Sequence, residues 1–119
     1  MILFILSRTG NLLKGDGEMV IEKKVTTKYI DGIERVYIYK VTQQKLDDIL
    51  EYGVKATRED ISKGEIVTMT ENEVKYISPK KELVMGIVGI LCRNEVSPIH
   101  LKEIVCEYFD TENIKVYSL

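Results

Sequence analysis

A chain of 119 residues with 45% hydrophobic and 30% charged side chains is one globular domain with room for a single core. A net charge of -2 and a pI near 5.5 exclude a protein that binds nucleic acid over its whole surface, and leave room for a local basic patch. No run reaches the ~18 apolar residues that a membrane-spanning helix needs.

The N-terminal residues Met1–Leu6 carry no basic flank and no small-residue cleavage site, so a signal peptide is not expected and the cytoplasm is the expected location. Residues 2–6 are continuously apolar and read as a short strand buried on both faces. They run into Ser7-Arg8-Thr9-Gly10-Asn11 and a loop through Gly15 and Gly17. The stretch Phe4–Asn11 is similar to the phosphate-binding loop of the flavodoxin family, in which such a loop opens a helix and holds the FMN phosphate. That resemblance implies phosphate contacts from Ser7, Thr9 and Asn11. It covers eight of the 119 residues, and the chain then departs from the pattern. Leu12 stands where the family continues with Thr and a helix, and Gly15 and Gly17 would break the first turns. Without a helix N-terminus the anion site loses its dipole and its free N–H groups, so a plain strand-to-loop turn is the expectation here.

Residues 19–41 read as two strands joined by a tight turn at Asp31-Gly32. Pairing Ile30 with Ile33 separates the faces. Ile21, Val25, Val36 and Ile38 form a core face, while Lys24, Thr26, Lys28, Arg35, Tyr37 and Tyr39 occupy the other. Thr42 is placed to cap a helix with Leu46, Ile49 and Leu50 on one stripe, stapled by Val41 and ended by Gly53. Thr57-Arg-Glu-Asp60 looks like the cap and acidic first turn of a short helix ending at Gly64. A second hairpin is expected over 65–78, turning at Glu71-Asn72, with Val67, Met69, Val74 and Tyr76 on one face.

Leu83–Cys92 is the longest uncharged apolar run in the chain. It reads as the middle of a helix capped by Ser78, with Pro79 at its first position and Arg93 near its end, the alternative being a buried strand. Its seven large side chains represent roughly 10–20 kcal/mol of gross burial. Gly86 and Gly89 cost about 1 kcal/mol each in helix propensity, which suggests close backbone approach to a sheet or a second copy. Met85, Gly86, Gly89 and Ile90 are therefore the expected oligomer contact. Ser97 caps another helix with Pro98 at its first position and Leu101, Ile104, Val105, Tyr108 and Phe109 on one stripe. Ile114–Leu119 reads as a closing strand. The whole predicts an α+β fold: a mostly antiparallel sheet built from two hairpins plus terminal strands, with helices packed on one face.

Chemistry-bearing constellations are sparse. Cys92 and Cys106 do not make a disulfide scaffold or a metal site. In an antiparallel helix pair turning near 94–97, Cys106 falls level with Met85, ~10 Å from Cys92, beyond the ~7 Å a disulfide tolerates. His100 is the single histidine, which rules out a two-histidine metal site, and it has no evident partner for acid–base work. Asp47 and Asp48 are adjacent and would point apart on a helix. The acidic 101–110 helix repels DNA phosphates. No Walker loop, nucleophile elbow, zinc pair or calcium loop is present.

The expected function is thus a non-enzymatic interaction protein, a homodimer that binds a macromolecular partner, with no cofactor. The alternative is nucleic-acid or nucleotide binding through Lys24, Lys28, Arg35, Tyr37 and Tyr39, where cations meet phosphates and rings stack on bases. A third reading is a small enzyme acting on a phosphate-bearing ligand near Ser7–Asn11, with His100. Fifteen Ile against one Ala, and charges dominated by Lys and Glu, fit an AT-rich or thermophilic source.

Overall fold

The computed structural model describes residues 18–111. The expected terminal strands at 2–6 and 114–119 and the loop Ser7–Asn11 lie outside the described residues. Four strands, β1 (Met19–Ile30), β2 (Ile33–Leu46), β3 (Ile49–Ser62) and β4 (Glu65–Ser78), form one antiparallel sheet in the order β1-β2-β3-β4. Two helices follow, α1 (Lys81–Arg93) and α2 (Leu101–Thr111), with a 3-10 turn at Pro98–His100 between them. The fold is α+β.

Three two-residue turns build the meander, at Asp31-Gly32, Asp47-Asp48 and Lys63-Gly64, and all six residues have positive φ. That is the signature of the type I′ turn, whose twist matches that of the strands it joins. The turns recur every 16 residues because β2 and β3 are each 14 residues long. Ile30 pairs with Ile33, as the Asp-Gly turn predicts.

The middle of the chain departs from expectation. The helix foreseen from Thr42 to Gly53 is the end of β2, a turn and the start of β3, with Leu46 paired to Ile49. Asp tolerates the left-handed region through its short polar side chain, so Asp47-Asp48 turns the chain where a helix would have continued it. The short helix foreseen over 57–64 is the second half of β3. The hairpin foreseen over 65–78 is the single strand β4, which passes through Glu71-Asn72 without turning. Its Val74 lies in the core while Val67 and Met69 are exposed.

Tyr37, Tyr39 and Val41 of β2 and Tyr52, Val54 and Ala56 of β3 alternate onto one face of the sheet. They share a core with Val84, Ile87, Val88 and Leu91 of α1 and with Leu101 and Val105 of α2. The four α1 side chains are fully buried, worth roughly 6–12 kcal/mol gross. The Leu83–Cys92 run is thus helical, as expected, but its start differs. Lys80 is the N-cap residue, and the Ser78 hydroxyl accepts the Lys80 N–H at 3.0 Å ahead of the helix. Ser97 and Pro98 act as predicted, at the head of the 3-10 turn rather than of α2 itself.

Candidate functional site

The basic and aromatic face of the first hairpin is the face that meets the helices. Tyr39 is 0% exposed and Tyr37 is 5% exposed, with near-parallel rings 6.3 Å apart. Neither ring has an open face on which a base could stack. The Tyr39 hydroxyl donates to the Val96 carbonyl at 2.7 Å. Burial, above all, and then the neighbouring Tyr37 push its ionisation well above the usual tyrosine range.

Lys28 and Arg35, paired across β1 and β2, each find an anion inside the chain. Lys28 meets Glu95 at 2.9 Å, and hydrogen bonding to that carboxylate raises its pKa. Arg35 donates from Nε to Asp60 on β3 at 2.9 Å, which raises its pKa likewise. The like-charge repulsion of that cross-strand pair is therefore relieved by Glu95 and Asp60. Lys24 stays near the surface, 3.9 Å from Glu22.

Glu95 owes its position to the end of α1. Glu95 N–H bonds to Cys92 O and Val96 N–H to Leu91 O, the paired bonds of a Schellman ending. Glu95 holds the left-handed position with φ 49°, normally given to Gly and costing another residue ~1 kcal/mol. The α1–α2 connector is then held by three strands at once. Lys28 of β1 binds Glu95, Tyr39 of β2 binds Val96, and Asn72 of β4 donates to the Pro98 carbonyl at 3.2 Å.

Of the residues expected to contact a second copy, Gly86 is engaged within the chain. A Cβ there would lie 3.1 Å from the Tyr108 hydroxyl of α2. Met85 packs partly buried against the core, and Gly89 and Ile90 are half-buried. Cys92 and Cys106 are free and half-buried. His100 is exposed, 3.4 Å from Glu103. Among the described residues no group of three His, Cys, Asp or Glu side chains could hold a metal ion, and no helix is long and apolar enough to cross a membrane.

The second face of the sheet is polar along one row, in which Lys23, Lys40, Lys55 and Glu73 stand directly across β1 to β4. Burial, then Lys55 and Lys23, lower the Lys40 pKa. Lys55 pairs with Glu71 at 3.3 Å. Burial first, and then the adjoining carboxyl of Glu18, push Glu73 up to about 7.

The two edges of the sheet are unlike. On β1, Lys23, Lys24 and Lys28 interrupt the strand, and the pairing with β2 is irregular between Val20 and Glu22. Charges and bulges of this kind keep an edge from templating another strand. On β4, Ile66-Val67-Thr68-Met69-Thr70 is an uncharged run without Gly or Pro. Ile66, Val67 and Met69 are 40%, 59% and 56% exposed. Sequence reasoning missed this surface by folding the segment into a hairpin, although five uncharged β-prone residues between Glu65 and Glu71 were its signal.

No curated protein and no solved structure matches the chain. Residues 18–111 match a family of unknown function, DUF6514, and the chain belongs to that family.

Proposed function

We propose that this protein is a non-enzymatic interaction module that self-associates as a homodimer and presents the assembled surface to a macromolecular partner. One observation carries the reading. Ile66, Val67 and Met69 of β4 lie together in water on a strand with no neighbour on its outer side among the described residues, while other large apolar side chains are exposed along β1, as at Val25 and Tyr29, and at the β2–β3 turn, at Leu46, Ile49 and Leu50. Grouped apolar exposure on an edge marks a contact surface, whereas scattered exposure does not. The internal pairing of Lys28 and Arg35 and the burial of Tyr37 and Tyr39 favour this over nucleic-acid binding by the first hairpin. Light scattering on a dilution series tests it. The expected mass is twice 13.7 kDa, falling towards the single-chain value on dilution. A single-chain mass at every concentration overturns it.

A further inference from the structure

Resting on the dimeric reading above, we propose how the two copies meet: β4 pairs antiparallel, edge to edge, with β4 of a second copy about a two-fold axis at Thr70. The outer edge of β4, unpaired among the described residues, supplies the hydrogen bonds. Alternate residues of an edge strand direct N–H and C=O groups outward, and no described strand lies beyond β4.

The register follows from charge and from where β4 is regular. Its pairing with β3 is irregular where Asp60 and Ile61 meet Thr68 and Ile66, and again between Val54 and Tyr52. From Thr68 to Val74 the ladder is continuous. A two-fold axis perpendicular to the sheet keeps each side chain on its own face, so the axis must pass through a residue. At Glu71 it sets Glu71 against Glu71. At Asn72 it sets Glu71 against Glu73, twice. Both arrangements oppose like charges directly. At Thr70 no like charges are opposed. Thr70 faces Thr70, Met69 faces Glu71 of the second copy, and Thr68 faces Asn72, all within the continuous stretch. Glu71 is already held by Lys55 at 3.3 Å, so its charge is offset before Met69 covers it. Axes at Thr68, Met69, Glu73 or Val74 keep at most three residues of the continuous stretch in register, whereas the axis at Thr70 keeps the five from Thr68 to Asn72. The contact is short, placing the dimer in the weak, concentration-dependent class.

The sign of a charge at position 69 tests the geometry, because both variants below remove the same exposed Met from a site where folding tolerates either. Met69→Glu opposes Glu71 of the second copy at two symmetric places and is expected to raise the dimer Kd about tenfold. Met69→Lys meets that carboxylate with the opposite charge and is expected to leave the Kd unchanged or lower. In a Cys92→Ser, Cys106→Ser background, Thr70→Cys should cross-link with itself under mild oxidation. The Cα spacing of directly paired antiparallel residues, about 4.5–5.5 Å, lies within disulfide reach. Thr68→Cys, which faces Asn72, should not. A dimer weakened equally by Glu and Lys at 69, or by neither, or cross-linked at 68 rather than 70, overturns the edge pairing while the dimer itself stands. A wild-type chain that never dimerises overturns both.

Discussion

β1 and β4 both end the sheet, and both leave half of their backbone groups without a strand neighbour among the described residues. On β1 that liability is covered by chemistry. Lysines break the apolar pattern, the pairing with β2 is offset near Val20, and Lys28 is tied down by Glu95. On β4 the charges sit at Glu65, Glu71, Glu73 and Lys75, its two irregular pairings leave a continuous stretch from Thr68 to Val74, and Ile66, Val67 and Met69 are exposed. A single chain that guards one edge and not the other has a preferred side for company. The rule that edge strands are blunted is informative where it is broken.

Removing the seat of β4 should be the most damaging change. Gly53 on β3 has no room for a side chain, since a Cβ would fall 2.5 Å from Val74 O and 2.9 Å from Lys75 Cα. Those are backbone atoms, at the irregular pairing where Tyr76 takes a positive φ of 56°. Gly53→Ala is expected to cost about 3 kcal/mol in urea unfolding, with β4 rather than β1 losing amide protection first.

A smaller effect should come from Glu73. Its carboxyl binds its proton more tightly when folded, up to about 7 against an ordinary 4.5. The stabilisation is therefore complete below the ordinary value and is lost as pH rises through the raised one. The side chain is half-exposed and screened by water, so about 1 kcal/mol of stability should disappear between about pH 4.5 and about pH 8. Glu73→Gln should flatten that slope, read from urea midpoints at the two pH values.

The comparison can also be run backwards. Lys23→Thr with Lys24→Val strips the guard from β1 and should yield assemblies larger than the dimer in light scattering, with little change in stability. Least of all should follow from Lys28→Ala. Its pair with Glu95 is at the surface, where such contacts contribute little, and the thermal midpoint is expected to stay within error.

What could be read in advance depended on how local the signal was. Asp31-Gly32 announces its turn because Gly accepts positive φ without cost. Leu83–Cys92 and the 101–108 stripe announce helices through long apolar spacing that a strand would not keep. Asp47-Asp48 makes the same kind of turn with residues that equally suit a helix surface, and Leu46, Ile49 and Leu50 fit a helical stripe as well as a strand-turn-strand. The discriminating feature was the recurrence of turn-capable pairs at 31, 47 and 63, a regularity of the whole meander that no single window displays. From the hairpin alone the core falls to Ile21, Val25, Val36 and Ile38, whereas the helices cover the face of Tyr37 and Tyr39, which Ile21 joins at the irregular pairing between Val20 and Glu22. That depended on Val84, Ile87 and Leu91 arriving from more than 40 residues away.

The three ties on the α1–α2 connector have a kinetic corollary. Lys28, Tyr39 and Asn72 belong to three different strands, and a one-residue slip in any of them would turn its side chain to the opposite face. Glu95, Val96 and Pro98 can then all be engaged only after the meander has aligned throughout. Helix docking thus proofreads strand alignment, and mis-registered chains should linger as sheets whose helices have yet to dock.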